Sequence, residues 1–171
     1  MPSCEFDSIS GSETPFYFQN FLTRTVTANL NGAQVNALAN GFVIGATAIF
    51  PVAVKVAEID LQSNAGVIAV SLSSAITNYT AGSMCGIYFG LDNGPVSDVN
   101  GMSRLFLNHI CGQNAIAGLA SSSSRTNSLQ MGQNSSYRIN SGQKLALYMS
   151  APSDSTTLLT AAASVYWIGV G

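Results

Sequence analysis

The chain has 171 residues, of which only 8% are charged, and its formal net charge is −2. An average soluble domain carries about 25% charged residues, so much of this surface must be neutral or covered by a partner. The six cations are scattered along the chain with no basic stripe, which excludes a surface built to bind nucleic acid.

The N-terminal segment, residues 1–15, is predicted to be an arm outside a single folded domain that spans residues 16–171. The segment is acidic and polar, with neither the basic start nor the apolar core of a secretory signal peptide. No stretch approaches the ~20 apolar residues of a membrane helix. We therefore expect no membrane partner. The arm is expected to contact either a neighbouring subunit or the lattice of a larger assembly.

Short β-strand patterns begin after the arm. The first strand is predicted to open at Phe16 and Phe18 and to continue through Thr27. The next stretch, Leu30–Ala39, is typical of either a helical turn or a loop. The short strands that follow, separated by turns rich in Gly, Asn and Asp, indicate an all-β chain.

A change in alternation marks the second strand. Val52, Val54 and Val56 share one face, whereas the apolar residues from Ala57 onward take the opposite parity. Because side chains alternate strictly along a strand, this change predicts a β-bulge near Val56–Ala57. The segment Ser63–Gly66 that follows has the composition of a hairpin turn.

The second half of the chain repeats this pattern of runs and turns. Ser121–Ser128 is predicted to be an exposed loop, because five of its eight residues are serine and the other three are Arg, Thr and Asn. Other predicted turns or loops are Asp92–Pro95, Asp98–Gly101, Asn140–Gln143 and Pro152–Thr157. Further strands are predicted over Val67–Leu72, Cys85–Leu91, Leu105–Ile110, Tyr137–Ile139, Lys144–Ser150 and Leu158–Val170.

The last strand is apolar at both parities, which predicts that both of its faces are covered. One cover would be the core and the other a partner subunit. The predicted subunit interface comprises Val165, Tyr166, Trp167, Ile168, Val170, Phe16 and Phe18.

About eight to ten short strands separated by turns predict an antiparallel β-sandwich that is jelly-roll-like. The pattern contains no clear internal repeat and no domain linker.

Candidate catalytic and metal-binding residues are few. His109 is the only histidine, and its place in an alternating strand favours a position at the core edge or a subunit contact over a catalytic base. The three cysteines, Cys4, Cys85 and Cys111, are odd in number and widely spaced, which argues against a disulfide framework or a zinc site. The sequence leaves open whether Cys85 and Cys111 form a disulfide bridge.

The acidic residues also favour structural roles. Glu58 and Asp60 lie on one strand face about 7 Å apart, and we interpret them as a solvent-facing edge rather than a glycosidase pair. The acidic turns around Asp92 and Asp98 are interpreted as turn chemistry rather than calcium sites. The sequence therefore predicts a protein that is not an enzyme and that uses no metal or cofactor.

Two resemblances suggest a class of function. The segments Asn140–Leu147 and Ala163–Val170 resemble the closing strands of the trimeric jelly-roll heads of the complement and tumour-necrosis-factor-like families. The composition is similar to that of bacteriophage structural proteins, including capsid decoration (cement) proteins and fibre or spike heads. These resemblances imply a homotrimer on the virion surface, assembled in the host cytoplasm and contacting the major capsid protein or another virion protein.

The same resemblances imply an alternative, a receptor- or glycan-binding head of a tail fibre, a spike or a bacterial surface adhesin. Such a head would bind a host-surface glycan through the loops Leu91–Gly101 and Ser121–Ser128.

Overall fold

A computed structural model describes residues 21–38, 52–79, 84–99, 102, 104–111, 121–131 and 136–170. The predicted arm at residues 1–15, together with Phe16 and Phe18, lies outside these residues. Among the described residues, no helix has the length and apolar character needed to cross a membrane.

The described residues form ten strands and one short helix. These are β1 Leu22–Asn31, α1 Gly32–Ala37, β2 Val52–Asp60, β3 Ala65–Tyr79, β4 Cys85–Leu91, β5 Val96–Asp98, β6 Leu105–Cys111, β7 Ser121–Gln130, β8 Tyr137–Ile139, β9 Lys144–Ser150 and β10 Leu158–Gly169.

The strands form two antiparallel five-stranded sheets. Sheet A has the order β1-β10-β3-β7, with β8 also paired to β3, and sheet B has the order β5-β2-β9-β4-β6. Apart from the short β5 and β8, the strands pair as β1 with β10, β2 with β9, β3 with β7 and β4 with β6. This nesting is that of one long hairpin folded over on itself, which is the jelly-roll arrangement. The predicted all-β sandwich is therefore confirmed.

The main core lies between the two sheets. Along β10 the buried residues, among them Val165 and Trp167, alternate with partly exposed residues such as Ser164 and Tyr166. Val165 and Trp167 are 0% and 4% exposed within their own chain, so their face of the strand packs on the opposite sheet. These two residues therefore belong to the core of their own chain. The sequence-based prediction that they lie in a subunit interface is corrected accordingly.

Sheet B is buried on both of its faces at its centre. The inward residues of β9, including Leu145 and Leu147, belong to the main core. Its outward residues Ala146 and Tyr148 pack in a second cluster that includes Tyr88. The centre of the outer side of sheet B is thus covered within one chain.

The helix α1 occupies the stretch predicted as a helical turn or loop. Its N-cap Asn31 accepts a hydrogen bond from the Gln34 backbone N–H at 2.8 Å, and the Gln34 side chain accepts one from the Asn31 N–H at 2.9 Å. This capping box satisfies two backbone donors that a short helix would otherwise expose. Val35 then fixes the helix by entering the main core.

Three local predictions have clear outcomes. The register of β2 shifts between Lys55 and Ala57, which confirms the predicted bulge. The prediction of a hairpin turn over Ser63–Gly66 is wrong. Strand β2 pairs with β9 and strand β3 pairs with β10, so this connection crosses from one sheet to the other. The loop over Ser121–Ser128 is also wrong, because the segment forms most of β7 and pairs with β3.

Candidate interaction surface

The outer side of sheet A carries a flat array of small, uncharged side chains. The strand register aligns Thr25 with Ser164, and Ser164 with Ser71, so the outward residues form rows across the four long strands. We call four such rows the neutral face. Its rows are Thr23, Tyr166, Ala69 and Gln130; Thr25, Ser164, Ser71 and Ser128; Thr27, Ala162, Ser73 and Thr126; and Asn29, Thr160, Ala75 and Ser124.

None of the residues of the neutral face is charged and none is buried. Most of them are serine or threonine, whose β-carbons suit a pleated surface and whose hydroxyls can donate or accept hydrogen bonds. The Thr25 and Ser164 hydroxyls already bond across the β1–β10 pair at 2.7 Å. The face therefore offers a neutral, hydrogen-bonding surface without charge to desolvate.

A shallow depression of about 640 Å³ lies over the third and fourth of these rows. Thr27 and Asn29 line it from β1, and Ser73 lines it from β3. Strands β7 and β10 contribute further serine, threonine and alanine residues, and β7 also contributes Arg125, which is exposed. None of the described residues that line the depression has an aromatic ring. The depression can accept polar groups by hydrogen bonding but offers no ring for a sugar to stack on.

His109 lies inside the sandwich rather than at a subunit contact. Its side chain is fully buried on β6, with Nδ1 2.8 Å from the Ser74 hydroxyl and Nε2 2.9 Å from the Ser123 hydroxyl. Burial, with a smaller contribution from Arg125, lowers the pKa of His109 below its usual value of 6.5. The ring is therefore neutral near pH 7, and it joins β6 to two strands of the opposite sheet.

The carboxylates considered from the sequence have separate partners. Glu58 accepts hydrogen bonds from Lys55 at 2.9 Å and Lys144 at 3.1 Å, and these bonds hold its pKa below the usual value. Asp60 instead accepts a hydrogen bond from the backbone N–H of Gln62 at 2.8 Å. Glu58 and Asp60 therefore do not act as a pair.

The network around Glu58 extends along the outer side of sheet B. Lys55 also contacts Asp92 at 3.1 Å, and the Tyr148 hydroxyl donates to the Asp92 carboxylate at 3.1 Å. Asp92 additionally accepts from the Gly94 N–H, so it organises the predicted turn after β4. The two outer sides thus differ, because sheet B carries this charged network whereas the neutral face carries no charge.

The residues of the predicted subunit interface lie in different environments. Tyr166 belongs to the neutral face, whereas Val165 and Trp167 belong to the core. Ile168 and Val170 are half-buried at the end of sheet A. The prediction of a subunit contact stays a prediction for Tyr166, Ile168 and Val170.

Most of the neutral face was missed in the sequence, although β1 carries a usable signal. Its outward positions Thr23, Thr25, Thr27 and Asn29 recur at every second residue, which is the period of a strand with one solvent-facing side. On β7 the same signal is hidden, because both faces of that strand are rich in small polar residues.

Similarity to known proteins is confined to weak structural likeness. No family model matches the chain, and no curated protein matches it. One similar solved structure is that of the Gx strain of infectious bursal disease virus, at 9% sequence identity and a TM-score of 0.22. The match covers 89% of this chain and 43% of the viral chain, so this chain spans less than half of that protein's length.

Proposed function

We propose that this chain is a structural, non-enzymatic protein that assembles with copies of itself through the neutral face. The observation that carries the proposal is the face itself, four rows of side chains that carry no charge and are exposed or partly exposed. Burying an unpaired charge is costly, so the central part of a protein interface is depleted in charged residues.

The size of the face fits this use. Four strands spaced by 4.8 Å and four rows spaced by two residues give a projected area of about 500 Å². Packed around a three-fold axis, three such faces would remove about 1,500 Å² in total, with each face shared between two neighbours. Ile168, which lies just beyond the rows on β10, would enlarge the contact with apolar area.

We further propose that the assembly is a bacteriophage capsid decoration, or cement, protein that forms a homotrimer on the virion surface. The low charge of the whole chain and its likeness in composition to phage structural proteins support this assignment. The major capsid protein or another virion protein would be the second partner, and assembly would take place in the host cytoplasm.

The non-enzymatic part of the proposal rests on how the reactive side chains are held. Both ring nitrogens of His109 are within hydrogen-bonding distance of serine hydroxyls inside the core. Burial raises the pKa of the Cys85 thiol to about 12, so its nucleophilic thiolate is scarce at neutral pH. Glu58 and Asp92 are engaged by lysines.

A second candidate function is a receptor- or glycan-binding head. The shallow depression favours it, because hydroxyl and amide groups such as those of Thr27, Asn29 and Ser73 can hydrogen-bond to sugar hydroxyls. The described residues of its lining include no aromatic ring, which weighs against tight sugar binding. A glycan array probed with the full chain separates the two, because a specific hit that a Ser73→Lys substitution removes would favour the head.

The experiment that tests the main proposal compares two lysine substitutions by size-exclusion chromatography with light scattering. Ser73→Lys places a charge in the middle of the neutral face, whereas Ser153→Lys places the same charge in an exposed loop between β9 and β10. We expect wild type and Ser153→Lys to form the same oligomer at micromolar concentration. Ser73→Lys should weaken self-association at least tenfold, because the lysine would be buried without a partner.

Two outcomes would contradict the proposal. A wild-type protein that stays monomeric at micromolar concentration removes the homo-oligomer. An oligomer that survives Ser73→Lys unchanged removes the neutral face as its interface, while leaving another surface to be found. The emission of Trp167, the only tryptophan in the chain, checks that each variant is folded.

A further inference from the structure

Two unbridged cysteines face each other across a pair of neighbouring strands. Cys85 is the first residue of β4 and Cys111 is the last residue of β6, and the antiparallel register pairs them directly. Directly paired residues point to the same side of a sheet. Here that side faces the core, where Cys85 is fully buried and Cys111 is half-buried against the main cluster.

The spacing of paired strand residues fits a disulfide. Opposite residues in an antiparallel pair have Cα atoms about 4.5 or 5.5 Å apart, depending on whether they exchange backbone hydrogen bonds. Disulfides accept Cα separations of roughly 4.4–6.8 Å, so either kind of pair fits within this window. A rotation of the two side chains, with a small approach of the strand ends, would bring the sulfur atoms together.

We propose that Cys85 and Cys111 are the site of an intramolecular cross-strand disulfide that forms when the reduced protein meets a small-molecule disulfide. The Cys111 thiolate attacks one sulfur of that molecule, which breaks its S–S bond and releases one small thiolate. The Cys85 thiolate then attacks the Cys111 sulfur, forms the Cys85–Cys111 bond and releases the second small thiolate. The two protons from the cysteines pass to the released thiolates, so the protein loses two electrons and the small disulfide gains them.

The order of the two steps follows from exposure. Cys111 is the more accessible sulfur, and the Tyr79 hydroxyl is hydrogen-bonded to it. Burial raises the pKa of both thiols, and of Cys85 to about 12. Because the thiolate is the attacking species, the closing step is slow at neutral pH. As long as the pH stays below the pKa of Cys85, the rate of this step should increase about tenfold for each unit by which the pH is raised.

The bond would change the mechanics of one edge of the sandwich. Among the described strands, β6 is the edge strand of sheet B and pairs within that sheet with β4 alone. An edge strand held on one side can open locally without unfolding the rest of the sheet. A bond between its last residue and β4 would resist this opening. The inference is independent of the proposed assembly function.

The test treats the full reduced chain with oxidised glutathione at pH 8 and then blocks the remaining thiols with an alkylating reagent. Mass spectrometry should show the loss of two hydrogen atoms and a crosslinked peptide that joins Cys85 to Cys111. Hydrogen exchange at the amides of β6 should slow at least threefold after oxidation, and the melting temperature should rise by several degrees.

Matched variants identify the residues that react. Cys4→Ser removes the third cysteine and should leave the reaction unchanged, whereas Cys111→Ala should abolish the crosslink. Cys111 is only half-buried, so this variant is expected to fold, and peptide mapping of the wild type gives the same answer if it does not.

Three results would overturn the inference. A stable glutathione adduct on Cys111 without closure would show that Cys85 cannot reach it. A crosslink that involves Cys4 would assign the reaction to another pair. Closure in urea but not in the native protein would show that the strand register holds the sulfur atoms apart.

Discussion

His109 lies between two hydroxyl groups in the interior of the sandwich. A neutral imidazole has one donor and one acceptor nitrogen, and a serine hydroxyl can serve either need, so Ser74 and Ser123 together satisfy the ring. Protonation would place a positive charge in the core close to Arg125, which is why the pKa is lowered. Both hydroxyls could also accept from the protonated ring, so the cost of protonation is the buried charge and not the loss of the two hydrogen bonds.

This arrangement predicts a loss of stability in mild acid. In the unfolded chain His109 takes up a proton near its ordinary pKa of 6.5, whereas in the folded protein it does so only at lower pH. Between these two values the unfolded state binds more protons, so the free energy of unfolding falls as the pH decreases below about 6.5. Urea unfolding followed by Trp167 emission from pH 7.5 to pH 5 measures this slope.

The variant His109→Gln provides the control, because glutamine offers one donor and one acceptor but does not titrate. We expect it to be less stable at pH 7.5 and to lose the pH dependence between 6.5 and 5. It should keep the decline at lower pH, where Glu58, whose folded pKa lies below the usual 4.5, gains a proton and gives up its lysine partners. An unchanged slope in His109→Gln would exclude His109 as its source.

At the scale of single elements, β4 is held by the fit of a tyrosine over a glycine. The Tyr88 ring lies where a Cβ on Gly86 would be, so only glycine fits beneath it. The Tyr88 hydroxyl is 3.4 Å from the Ser150 hydroxyl on the neighbouring β9. In register, Tyr88 pairs with Tyr148, and both rings belong to the second cluster on the outer side of sheet B.

We therefore expect Gly86→Ala to lower the free energy of unfolding by about 1–3 kcal/mol, because the new methyl group must displace the Tyr88 ring. Gly169→Ala is the matched control, since Gly169 also lies in a strand but a Cβ there meets nothing within 4 Å. Urea unfolding measures both. Adding Tyr88→Ala should make the effect of Gly86→Ala clearly smaller, since the two sites share one contact. Additive effects would show that the ring is not the obstacle.

Strands with a clear apolar run could be predicted from the sequence, whereas β3 was predicted over Val67–Leu72 and spans Ala65–Tyr79. β4 and β9 are confirmed within their predicted bounds, and the bulge in β2 followed from a visible change of parity. β7 was missed because Ser, Thr and Asn fit both an edge strand and a loop, and only its pairing with β3 decides between them. The same limit applies to Ser74 and Ser123, whose roles depend on His109 in another sheet.

Partner choice was the other property that local pattern could not supply. The short connection after β2 has the composition of a hairpin turn, yet its two strands lie in opposite sheets. Which strands pair is determined by contacts between distant parts of the chain, because each strand must bury one face against the opposite sheet. The position of the neutral surface could not be predicted either. The composition indicated a surface with few charges, but the sequence analysis assigned it to the arm and the last strand alone.

At the scale of the whole molecule, the nested pairing makes each sheet a product of both halves of the chain. β1 pairs with β10 along its whole length, and β3 pairs with both β10 and β7. In sheet B, β9 lies between β2 and β4 in the same way. Neither half contains a complete sheet, and the main core takes side chains from both halves.

This architecture predicts one cooperative unfolding transition and slow folding. A fragment that loses β10 would also expose β1 and β3, so partial unfolding should cost nearly as much as complete unfolding. We expect the urea transition followed by Trp167 emission, which reports on sheet A, to coincide with that of far-UV circular dichroism, which reports on all strands. Refolding should take milliseconds to seconds, because β1 cannot pair until nearly the whole chain has been brought together. The measurement is best made on Ser73→Lys, so that dissociation of an oligomer does not add a second transition. Two separate midpoints in that variant would show that one sheet, or one end of the sandwich, can persist without the other.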